Sequence, residues 1–120
     1  MSQNFRRNTV LTIDVNKHSE AKELILKGEL NLENVHEIEN VFLAELDNDS
    51  LNIGLNCKHL RNMDSSGLGL IIKFSNIAKG KGVNIVLFNF SKNIETIFDT
   101  SKLNNYFNIV QEKEFIENYT

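Results

Sequence analysis

Residues 62–70 read Asn-Met-Asp-Ser-Ser-Gly-Leu-Gly-Leu. They stand between an alternating run, LNIGLNC at 51–57, and a long apolar-rich segment at 66–79. The alternation reads as a strand. In the segment that follows, Leu68, Ile71, Ile72, Ser75 and Ala78 fall on one stripe, with Leu70, Phe74 and Ile77 beside it. That is the period of a helix apolar over a broad arc. Asp64, Ser65 and Ser66 are all helix-capping residue types, and Gly67 and Gly69 allow close backbone approach. Gly80 and Gly82 stop the helix. Residues 84–90, NIVLFNF, are almost continuously apolar, as in a strand covered on both faces. Strand, capped turn, helix and buried strand in this order make a β-α-β unit, whose right-handed crossover implies parallel pairing.

The neighbouring segments extend the pattern. Residues 9–16 alternate, with Leu11, Ile13 and Val15 on one side, and 22–27 form a second strand that closes a hairpin and ends at Gly28. Residues 31–48 carry Leu32, Val35, Ile38, Phe42 and Leu46 at helical spacing, with Asn31 as N-cap and Glu33 at the positive end of the dipole. After 84–90 come a helix at 91–100 with Ser91 as N-cap and Ile94, Ile97 and Phe98 inward, a short strand at 107–110, and a helix at 112–119 whose Phe115, Ile116 and Tyr119 pack back. The order is β-β-α-β-α-β-α-β-α. The predicted fold is α/β, a mixed sheet of about five strands with about four helices packed against it.

The chain of 120 residues reads as a single domain, 1–120, with 1–8 a flexible or edge segment. Hydrophobic residues at 41% and charged residues at 24% are globular values and exclude a disordered chain. A net charge of −3 gives no support to general nucleic-acid binding. No apolar run approaches the ~18 residues of a membrane span, and 1–10 lacks the apolar core of a signal peptide. Cys57 is alone, so no internal disulfide forms, and a reducing, cytoplasmic setting is expected, with Cys57 as core packing. His18, His36 and His59 have no metal-ligand spacing, so neither metal nor cofactor is expected. Charge is divided along the chain: 28–57 hold acids without Lys or Arg, whereas 58–92 are basic apart from Asp64. Two differently solvated faces explain this, or a polarised surface that steers a protein partner. Lys58, His59, Arg61 and Lys73 lie around the 62–70 turn, while the first helix presents Glu33, Glu37, Glu39 and Glu45.

Read structurally, 62–70 is only a well-capped helix start. Read functionally, it is a turn at a sheet edge, with free N–H groups and a partial positive charge that favour an anion. A serine there can carry a phosphate, which adds roughly −1.5 to −2 charge and spoils docking to a partner without refolding the domain. Enzyme constellations are absent. The Gly-Leu-Gly at 67–69 is not a dinucleotide fingerprint, and Ser65 lacks the GxSxG elbow and base of a hydrolase.

The hexapeptide Asp-Ser-Ser-Gly-Leu-Gly opening an apolar helix after a strand resembles the signature of the STAS family, the sulphate transporter and anti-sigma factor antagonist domains. Gly-Glu-Leu-Asn at 28–31 resembles that family's Gly-Glu-Leu-Asp, and the element order matches from about Val10 to Tyr119. The resemblance implies an anti-sigma factor antagonist that is not an enzyme. In its unphosphorylated form it binds an anti-sigma factor serine kinase and releases the sigma factor. Phosphorylation falls on the serine after the Asp, here Ser65, and a metal-dependent serine phosphatase reverses it. Asp64 orients the switch, and Ser66, Gly67, Leu68 and Gly69 form the helix start that carries it. Glu29, Asn31, Glu33 and Leu70 flank the docking surface. No nucleic acid or membrane is implied, and the expected state is a monomer or weak dimer. Asn31 replaces the family's acid, which bears on partner affinity. The alternative is a STAS scaffold or sensor component of an assembly with a non-sigma output.

Overall fold

The computed structural model describes residues 10–46 and 50–120. The expectation for 1–8, and the end of the helix predicted to reach 48, lie outside these residues. The elements are β1 (Leu11–Lys17), β2 (Ala21–Leu30), α1 (Val35–Ala44), β3 (Asn52–Met63), α2 (Ser65–Gly80), β4 (Asn84–Phe88), α3 (Lys92–Thr100), β5 (Asn108–Val110) and α4 (Glu112–Tyr119). They build the predicted α/β architecture, one five-stranded mixed sheet in the order β1-β2-β3-β4-β5. β1 is antiparallel to β2, and the remaining pairs are parallel.

Each crossover moves one strand along the sheet, so right-handed connections deliver α1, α2 and α3 to the same face. Their buried residues share one core with Leu24, Leu26, Leu55, Cys57 and Leu87 from the strands. Cys57 is buried, and burial pushes its thiol up to about 12, so it packs as an un-ionised apolar group. Lys22 is also buried on this side. Its ammonium pairs with Glu45 Oε1 (2.6 Å) and donates to the Glu45 carbonyl (3.0 Å), placing a cation at the C-terminal end of α1. Lys73 pairs with Glu39 at 2.6 Å and ties α2 to α1. These two pairs remove Glu39 and Glu45 from the acids expected to face a partner.

α4 closes the opposite face. Phe115 stacks on Phe88 with ring centroids 4.7 Å apart, and both are fully buried with Ala21 and Val86. Beside them runs a polar chain. The buried Glu23 carboxylate accepts from Asn56 Nδ2 (2.9 Å), and Asn56 Oδ1 accepts from Asn89 Nδ2 (3.0 Å). Glu23 and Asn56 thereby keep hydrogen-bond partners, as a low-dielectric interior requires. Ile116, expected inward, is 43% exposed, because a single turn of α4 meets the sheet at Phe115.

Gly54 makes this packing feasible. A Cβ there would lie 2.5 and 2.6 Å from the Phe115 ring and 2.9 Å from the Phe88 ring. Both rings are enclosed and cannot swing away. Gly54→Ala is therefore expected to destabilise the domain by about 1–3 kcal/mol through overpacking. Thermal unfolding together with hydrogen exchange of α4 amides checks this; unchanged protection of α4 would contradict it.

Three boundaries differ from the sequence expectation. β3 does not stop at 57 but runs to Met63, held by its ladder with β2 as far as Leu30↔Met63. Gly28 does not end β2. Its φ of +126° and the register shift between Gly28 and Glu29 make it a bulge inside the strand. Asn31 does not cap α1; it heads a turn of its own, and Asn34 occupies the cap position.

Candidate functional site

The carboxyl ends of β2 and β3 lie side by side, and the two chain segments singled out in the sequence emerge there together. Asp64 joins the two segments. Its backbone N–H donates to the Leu30 carbonyl (3.2 Å), extending the β2–β3 ladder by one step. Its side chain is the N-cap of α2, with Oδ1 accepting from the Gly67 N–H at 3.0 Å. Its second oxygen, Oδ2, accepts from the Leu32 N–H at 3.1 Å. One carboxylate thus satisfies an orphan donor of the helix and a donor of the β2–α1 turn.

The turn itself is tied by side chains. Asn31 Oδ1 accepts from the Glu33 N–H (3.0 Å), Asn34 Oδ1 accepts from the Asn31 N–H (3.0 Å), and Asn34 Nδ2 donates to the Glu29 carbonyl (2.7 Å). The acceptor oxygen that Asn31 uses is one an aspartate would also have, so asparagine at this position leaves the turn intact. Arg61 reaches Glu29 at 3.8 Å. From α3, Asn93 Nδ2 donates to the Arg61 carbonyl (2.9 Å) and to Asn62 Oδ1 (3.0 Å), covering the stretch of β3 that β4 is too short to pair.

Ser65 is the first residue of α2 and is exposed. Ser66 is half-buried and Gly67 is buried against Leu30. Leu68 is half-buried, and Gly69, one turn beyond Ser65 on the same side, is exposed. Of the expected docking residues, Glu33 is exposed, and Glu29 and Asn31 are half-buried at the same edge. Leu70 is a correction. At 4% exposure it belongs to the core. The buried stripe of α2 is Gly67, Leu70, Ile71, Phe74 and Ala78, rotated from the one centred on Leu68 and Ile72. The approach of Gly67 to Leu30 sets that rotation, and periodicity alone does not register it. Leu32 is the opposite case: expected inside, it is 66% exposed, because the helix begins only at Val35 and the turn before it runs out of helical phase. Lys58 and His59 line a groove with Lys27 and Arg61 on the sheet side of this edge.

Among the described residues no group of His, Cys, Asp or Glu could hold a metal ion, and no helix is long and apolar enough to cross a membrane.

Asp64→Ala is expected to cost about 1–3 kcal/mol, because it removes a cap and a second charge-assisted hydrogen bond together. Chemical denaturation measures the loss. A cost no larger than that of an exposed surface residue would show that the Leu32 bond carries no weight.

Fold and site together describe a small binding domain that presents a serine on a rigidly held helix start at the carboxyl edge of its sheet. The chain belongs to the STAS domain family, whose profile it matches over residues 12–115. It is 25% identical over 104 residues to the anti-sigma-B factor antagonist of Staphylococcus epidermidis, covering 87% of this chain and 96% of that protein. Its fold matches the anti-sigma factor antagonist SpoIIAA in its unphosphorylated form with a TM-score of 0.71 at 25% identity, covering 88% of this chain and 94% of that one. The phosphorylated form of the Bacillus cell fate determinant SpoIIAA superposes with a TM-score of 0.68 at 23% identity, covering 91% of this chain and 100% of the other.

Proposed function

We propose that this domain is an anti-sigma factor antagonist, a binding module rather than an enzyme, switched by phosphorylation of Ser65. Unphosphorylated, it docks on an anti-sigma factor that is also a serine kinase and frees the sigma factor. The kinase ends the interaction by phosphorylating Ser65, and a metal-dependent serine phosphatase restores it. The observation that carries this reading is the placement of Ser65: exposed, at the first position of α2, beside a carboxylate that fixes both the helix start and the β2–α1 turn. The Gly67 N–H is taken by Asp64, and with no acidic side chain within the first turn of α2 the N–H groups of Ser65 and Ser66 are left to a phosphate. The relatives named above are anti-sigma factor antagonists, which supports an anti-sigma factor as the partner.

The test is to incubate the domain with ATP and each purified anti-sigma factor kinase of the same genome, then to map the phosphoryl group. It is expected on Ser65. Ser65→Ala should abolish modification and leave stability nearly unchanged, because Asp64, not Ser65, supplies the cap. A phosphate mapped to Ser66, or no modification by any of the kinases, would overturn the proposal.

A further inference from the structure

We propose that Leu32 is the apolar anchor of the docking surface, and that the partner receives it in an apolar pocket rimmed by basic side chains. The inference deepens the function proposed above and rests on it. Leu32 is more exposed than any other large hydrophobic side chain among the described residues, at 66%. It does not lie on a loose loop. Its own N–H is held by Asp64, and the residues on either side are fixed by Asn31 and Asn34. An exposed leucine on a preorganised turn pays little ordering entropy on binding, which is the condition under which a small number of residues dominate an interface. The carboxylate that holds Leu32 also caps the helix that begins at Ser65, so anchor and switch share one support.

The surroundings define the occupant. Glu33 and Glu37 are exposed and make no ion pair among the described residues, and Glu29 has only the long contact to Arg61. An acidic rim around an apolar knob calls for a partner with basic residues about a pocket. A second copy of this chain fits poorly, since a two-fold contact centred on Leu32 would set like acids against each other. Gly69 completes the surface. An ideal Cβ there meets nothing within 4 Å, so the fold does not need glycine, and its absent side chain leaves low ground one turn from Ser65.

The test uses the full chain and whichever purified anti-sigma factor kinase phosphorylates it at Ser65. Leu32→Ala is expected to keep the thermal midpoint of the wild type and to weaken kinase binding at least about tenfold, mainly through faster dissociation. Leu32→Met, which keeps the apolar volume, should retain most of the affinity. Glu33→Lys should slow association and reduce its salt dependence. If the kinase binds Leu32→Ala as tightly as wild type, the anchor is overturned while the proposed function stands. If sedimentation shows that Leu32→Ala loses self-association instead, the occupant is a second copy and the inference is wrong. If no kinase phosphorylates the wild type, the functional reading fails and takes this inference with it.

Discussion

Gly67→Ala is expected to destabilise the domain by about 1–3 kcal/mol, although alanine is the better helix former. The added Cβ would stand 2.4 Å from the Leu30 carbonyl oxygen, 2.9 Å from Leu30 Cγ and 3.0 Å from the Leu30 carbonyl carbon. Two of those three atoms are backbone, locked in the β2–β3 ladder at Leu30↔Met63, and cannot give way cheaply. The helix start must therefore lift from the end of β2. Lifting it strains both bonds of Asp64, to Gly67 and to Leu32, so partner binding should weaken along with stability. Gly69→Ala, two residues further on, is the control. With open space around it, the substitution should gain roughly 0.5–1 kcal/mol from helix propensity alone. Denaturant unfolding of the two variants side by side checks the opposite signs. Equal effects would show that the approach to Leu30 is not what selects glycine at 67.

Phosphate on Ser65 is expected to weaken docking to the kinase by on the order of a hundredfold, with the domain itself nearly unchanged. The partner's basic side chains are matched to Glu33 and Glu37 about Leu32 rather than to Ser65, and an interface that must desolvate a charge left unpaired loses roughly 2–5 kcal/mol. Here the new charge arrives beside Asp64 and close in the sequence to no basic residue nearer than Arg61. Inside the domain the same phosphate sits at a helix N-terminus, where the dipole and free N–H groups favour it, so nothing compels rearrangement. Backbone NMR shifts should change within about one turn of Ser65, and calorimetry should report the lost affinity. Shifts spread across the sheet would contradict a local electrostatic switch and indicate a second conformation.

The polarised charge distribution reads differently in three dimensions. Along the chain it separates an acidic half from a basic half. In the folded molecule Lys73 meets Glu39 and Lys22 meets Glu45, so part of the asymmetry is consumed in joining α1 to α2 and to β2. Glu33 and Glu37 remain exposed, with no ion pair among the described residues.

Much of this protein was legible from the sequence alone. Periodicity and capping chemistry are local properties, and they determined the element order, the Ser91 cap of α3, the span of α4 and the position of Asp64 and Ser65 at a strand-to-helix turn. The Gly-Glu-Leu-Asn and Asp-Ser-Ser-Gly-Leu-Gly segments stand out in the sequence, and parallel pairing of β2 with β3 brings them to one edge of the sheet. What depends on contacts between distant residues was decided only by the tertiary structure. β3 runs to Met63 because β2 is there to pair with it, not because 58–63 alternate. Leu70 is buried because Gly67 lets α2 rotate against Leu30, and helical spacing is blind to a rotation of that size. Leu32 is exposed because Asn31 and Asn34 fold a turn ahead of the helix, and Asp64, 32 residues later, holds it there. A hydrogen bond across that separation leaves no periodic trace in a sequence; it exists only once parallel pairing has brought the ends of β2 and β3 together.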